Sequence, residues 1–129
     1  GKLVQREDGR KAMRGSKDGR KCILKEMRDW WISVQGGMAA TLGNERDKAE
    51  VLARGEGMAV EVGTPGEMLL KIPMPMKKLG HATRARFDLI ADDLAKLKDR
   101  EHALKQLNET MNNCIACHEM YSFVAESDR

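Results

Sequence analysis

Two thiols and an imidazole stand together near the end of the chain, in Cys114-Ile115-Ala116-Cys117-His118. This C-x-x-C-H spacing is the attachment signature of c-type haem. On a helix, positions i, i+3 and i+4 share one face, so both sulfurs can bond the two vinyl groups of a porphyrin while His118 reaches its iron. One covalent haem c, with its iron, is therefore the cofactor to expect. Two other chemistries use the same residue types. A redox C-x-x-C opens a helix after a strand, and nothing before Cys114 reads as strand. A structural zinc site takes four ligands, and Cys22, His81 or His102 would have to complete it without a matching spacing.

The segment that carries the motif reads as a helix from about Arg100 to Val124. Leu104, Leu107, Met111, Cys114, His118 and Tyr121 follow one another at alternating steps of three and four, which sets the haem residues in the apolar seam. Before it, about Ala82 to Lys98 puts Phe87, Ile90, Leu94 and Leu97 on one side, and Asp99 can cap the next helix, so these two helices should be antiparallel neighbours. From about Lys21 to Leu42, the positions Leu24, Met27, Trp31, Val34 and Met38 form another seam, with Gly36 and Gly37 allowing a backbone or a porphyrin edge to come close. Gly43-Asn44 stops that helix, and Asn44 with Asp47 can start a further one from about Glu45 to Val62, burying Leu52, Ala59 and Val62. Gly63-Thr64-Pro65-Gly66 ends it. Pro73 and Pro75 then predict an extended, Met-rich crossover to Gly80 that covers the open end of the helices. The fold class expected is all-α, an antiparallel four-helix bundle with covalently attached haem c.

At 129 residues the chain fits one domain. Aromatic residues are 4% of it against 41% hydrophobic, with nine Met, which favours helices packed by aliphatic side chains over strands. Residues 1–21 hold eight cations against three carboxylates, so they carry more than the whole net charge of +3 and the remainder is acidic. The basicity belongs to this leading segment, and no nucleic-acid partner is expected. With glycines among the charges, residues 1–20 read as a basic flexible N-terminal arm ahead of a haem-binding bundle over 21–129. No apolar run is long enough to cross a bilayer, so no membrane insertion is expected. Because haem attachment of this kind takes place outside the bacterial cytoplasm, a periplasmic location is expected, with a signal peptide already removed. Cys22, the third cysteine, reads as a buried thiol, or more sharply as the link of a dimer.

The helix pattern, the long crossover and the run Cys114-Ile115-Ala116-Cys117-His118-Glu119-Met120-Tyr121 together resemble the cytochrome c′ family. The resemblance covers residues 21–124 in architecture, and the last helix alone is specific in sequence. It implies haem attached at Cys114 and Cys117, His118 as proximal iron ligand, Tyr121 beside the haem, and frequent pairing into a homodimer. Two behaviours occur in such families. In one, Met from the first helix is a sixth ligand and the protein carries electrons; here that residue is Met27. In the other, an apolar side chain blocks the distal face, here Leu24 or Trp31, and five-coordinate iron binds NO or CO. Family members commonly carry Arg or Lys directly after the aromatic, where this chain has Ser122. That change removes a fixed charge near the iron and favours the electron-transfer expectation. His81 is a further axial candidate from its loop, whereas His102 reads as solvated. The expectation is thus a periplasmic monohaem c-type cytochrome serving a redox partner protein, not an enzyme, with a small gas ligand as the alternative.

Overall fold

The computed structural model describes residues 3–59 and 65–125. It is mostly helical, with a short sheet joining its two ends. In chain order the elements are β1 (Leu3–Gln5), β2 (Lys11–Gly15), α1 (Lys17–Leu42), α2 (Arg46–Arg54), α3 (Gly66–Lys71), α4 (Met74–Leu97), α5 (Arg100–Met120) and β3 (Tyr121–Ala125). β1 and β2 are antiparallel, Leu3 opposite Met13, and β2 pairs in parallel with β3, Lys11 opposite Tyr121 and Met13 opposite Phe123.

The leading segment differs from the arm expected through residue 20. Gly9, at φ 88°, turns the chain between β1 and β2, and Arg10 closes that turn onto the Asp8 carboxylate. Ala12 and Met13 of β2 are buried. Ser16 then caps α1 by accepting from the Gly19 N–H, so the helix begins four residues earlier than the apolar seam alone suggested. Val124 also changes element. α5 ends at Met120, and Tyr121 is extended (φ −130°, ψ 150°), because the aromatic and β-branched run from Tyr121 to Val124 pairs with β2 instead of continuing the helix.

The middle of the chain differs in a second way. α2 stops at Arg54 before Gly55, and its buried residues are Ala49 and Ala53, whereas Leu52 is half-buried and Ala59 exposed. The expected end of this helix at Val62, and Gly63-Thr64, lie outside the described residues. Asn44 is not its cap: it sits left-handed at φ 59°, a conformation Asn tolerates, and its side-chain oxygen accepts from Arg100. The crossover is not extended. It contains α3, and Pro73 and Pro75 open α4, since the first turn of a helix needs no N–H from those positions.

α2 packs against α1 and α4, α4 against α5, and α5 against α1. Val34 and Ala40 of α1, Ala49 and Ala53 of α2, Phe87, Ile90, Ala91 and Leu94 of α4, and Ala103 and Leu107 of α5 form the main core. The glycine pair in α1 serves helix packing: a Cβ on Gly36 would lie 3.0 Å from a Leu52 methyl, and one on Gly37 3.5 Å from Leu107. A second core joins Met13, Ile23 and Met68, with Met27, Ile72, Met76 and Phe123 against it. It fastens the sheet and α3 onto α1. Met68 is wholly buried there, and Ser16 donates to Glu67 beside it, which holds the start of α3 to the start of α1.

Candidate functional site

α5 delivers Cys114, Cys117 and His118 to one wall of a groove of about 1080 Å³. That volume is slightly above the ~300–1,000 Å³ range of most cofactor and ligand sites. Ile23, Leu24, Met27 and Val34 of α1 line it, as do Leu69, Ile72 and Met76 from the crossover side and Phe87 of α4, so the walls are mainly apolar. Both cysteines are half-buried and form no disulfide.

The imidazole is oriented by its own helix. His118 Nδ1 lies 2.6 Å from the Cys114 carbonyl oxygen. A carbonyl can only accept, so Nδ1 carries the proton and, in the neutral ring, Nε2 is left with its lone pair for a metal. Burial raises the Cys114 thiol above its ordinary value; burial, and then the neighbouring Cys114, do the same to Cys117. Thiols held in their protonated form this way, in the last turns of a helix, are unlike the low-pKa thiolates of redox C-x-x-C sites. Among the described residues no three His, Cys, Asp or Glu side chains converge as a metal cluster.

Comparison with known protein families, with curated proteins and with solved structures finds no match.

Met27 and Leu24 line the groove half-buried, and Met27 also packs on the second core. Trp31 reaches the groove but is 74% exposed, because the buried stripe of α1 runs through Ile23, Val34, Gly37 and Thr41 with Trp30 half-buried beside it. The expected seam through Trp31 and Met38 is therefore rotated by one residue. The same holds in α5, where Ala103, Leu107 and Thr110 are the buried line and His118 faces out toward the groove. Tyr121, expected one turn beyond His118, has left the helix for β3 and does not line the groove. His81 does line it, and exposed. His102 is not simply solvated: its Nε2 meets Asp93 Oδ2 at 3.0 Å, where Gln106 also donates. Cys22 is half-buried on α1.

Sequence reasoning missed the polar part of the wall. Arg84 of α4 is nearly buried and reaches across the groove floor to Glu26 of α1, its Nε and Nη2 donating to Oε1 at 3.2 and 3.0 Å. Its Nη1 donates to the Gly57 carbonyl at 3.1 Å, and its guanidinium lies 5.6 Å from the Trp30 ring centre. On the helical repeat, Arg84 stands one turn before Phe87, and that apolar neighbour was the available sign that a charge there points inward. Asn113 donates to Thr83 at 3.4 Å, a polar tie between α5 and α4 on the same groove.

Proposed function

We propose that the protein is a monohaem c-type cytochrome that transfers electrons in the periplasm. Its four longer helical segments, α1, α2, α4 and α5, act as an antiparallel bundle of the cytochrome c′ kind, and haem c is held in the groove between α1 and α5. The observation that carries this reading is that Cys114, Cys117 and His118 share the wall of a large apolar groove, with His118 Nε2 left open by the Nδ1 bond to Cys114. Each thiol would add across one vinyl C=C, the sulfur bonding the inner carbon and the thiol proton going to the outer one, so attachment needs no oxidant. His118 would supply the proximal ligand, and Met27, on the same groove, the distal one. When bound, the haem would supply one-electron chemistry; the surrounding leucines, isoleucines and valine exclude water and lower the local dielectric. The carriage of electrons needs no acid, base or nucleophile, and an unidentified redox protein is the partner.

A second reading has specific support. Met27 is already used as packing against Met13, Ile23 and Met68. If its thioether stays there, the iron is five-coordinate and the protein binds NO or CO.

The test is the absorption spectrum of protein matured in a periplasm, oxidised and then reduced, with haem staining after denaturation. Covalent haem lost in the Cys114→Ser, Cys117→Ser double variant supports the cytochrome reading, and haem-free parent protein refutes it. A low-spin oxidised spectrum with the weak iron–thioether band favours electron transfer; a high-spin one favours gas binding.

A further inference from the structure

The cations on the groove are unevenly committed. Arg84 is spent on Glu26, on the Gly57 carbonyl and on Trp30, which makes the floor a neutral pair. Arg28 of α1 and Lys77 of α4 also line the groove, both exposed, and among the described residues neither is within salt-bridge distance of a carboxylate. Glu26 is the one acidic residue of the lining, and it belongs to Arg84. The groove thus combines apolar walls with two unpaired cations on two different helices. That is the complement of a flat apolar ligand bearing two carboxylates. Haem is such a ligand, and its two propionates lie on the edge opposite its two vinyl groups. With the vinyl edge fixed to α5 by Cys114 and Cys117, the carboxylate edge would lie away from α5, where α1 and α4 contribute to the lining.

We infer that Arg28 and Lys77 bind the haem propionates, one from each side of the groove mouth, and set the charge felt by the iron. This rests on the cytochrome reading above. Charge-assisted contacts of this type are stronger than neutral ones. By neutralising the carboxylates they favour the ferrous state, because reduction adds an electron beside them.

The experiment is a redox titration of the haem-loaded protein at pH 7 and low salt. In the Arg28→Gln, Lys77→Gln double variant, the ferric-to-ferrous ratio at fixed potential is expected to rise about tenfold, a fall of about 59 mV in midpoint for a one-electron couple. The Arg28→Lys, Lys77→Arg swap should restore most of it, and Lys105→Gln, a charge removed from exposed α5 surface outside the groove lining, should leave the midpoint where it was. Haem staining verifies that each variant still carries the cofactor. A double variant that keeps its haem and shifts no more than Lys105→Gln overturns the inference while leaving the cytochrome reading standing. If the double variant fails to fold, the two single variants are titrated, each expected at about a threefold shift, and no shift in either overturns the inference equally. Parent protein without covalent haem overturns both.

Discussion

Removing Arg84 tests whether the groove is held open from its floor. Its guanidinium ties three pieces of chain together, α4, α1 through Glu26 and Trp30, and the turn at Gly57. At 3.0 Å and an effective dielectric of about 20, the Arg84–Glu26 attraction is ~5–6 kcal/mol before desolvation is subtracted. Breaking a fully buried pair costs about 3–5 kcal/mol, most of it from the charge left behind. Here the side chains keep 11% and 17% of their exposure, so water reaches the stranded Glu26 and the lower end applies. Arg84→Met, which retains the aliphatic stem, should lose about 3 kcal/mol, including ~1 kcal/mol from the contact with Trp30. Glu26→Gln should lose about 2 kcal/mol. The double variant should cost at least ~1 kcal/mol less than their sum, because the two residues act on each other. Urea unfolding of the four proteins measures this directly. Strict additivity would refute the argument, and would mean that the guanidinium matters only for the Gly57 carbonyl and the indole.

Two further outcomes follow from the cores. Phe87→Ala removes a fully buried ring from the main core and should cost about 3–5 kcal/mol, read from the urea midpoint, while Met68→Ala, equally buried in the second core, should cost about 2–5 kcal/mol and loosen Met27 and Met76 with it. Asp93 adds a pH dependence. The hydrogen bond from His102, followed by that from Gln106, holds its carboxyl below the ordinary 3.8. Its folded pKa lies under its unfolded one, so its contribution is complete above about pH 4 and is lost as pH falls through the folded value. Urea midpoints measured from pH 6 downward should therefore fall more steeply below pH 4 for the parent than for Asp93→Asn; parallel curves would contradict the assignment.

What could be read from the chain beforehand follows from how local each signal is. The α4 stripe of Phe87, Ile90 and Leu94, the Asp99 cap accepting from the His102 N–H, and the C-x-x-C-H motif on a helix all depend on near neighbours, and all three stand in the fold. The pairing of β2 with β3 was out of reach for the same reason. Lys11 and Tyr121 are partners from opposite ends of the chain, and Met13 becomes a core residue only when Met68 arrives. The one-residue rotation of α1 has a subtler cause. Trp30 and Trp31 both fit an apolar periodicity, but Arg84 offers a cation to the face of one of them, and Trp30 turns inward to meet it. The prolines were read as breakers, when Pro73 and Pro75 occupy the start of α4, where a missing N–H costs nothing.

Met27 belongs to two structures at once, the groove and the second core, and under the proposed cytochrome function the choice between electron transfer and gas binding depends on which claims its sulfur. Met27→Ala cannot separate them, because it deletes volume from the second core as well as a ligand. Met27→Leu can. The swap nearly conserves volume, so stability should change by less than about 1.5 kcal/mol, yet leucine has no lone pair to offer iron. In a low-spin carrier it should abolish the iron–thioether band, turn the oxidised spectrum high-spin and lower the reduction potential, all with an almost unchanged urea midpoint. In a five-coordinate gas binder it should leave the spectrum and the midpoint alone, since one apolar side chain has replaced another. A large loss of stability with the band retained would contradict both, and would mean that Met27 is packing alone while another methionine of the groove, Met76, ligates the iron.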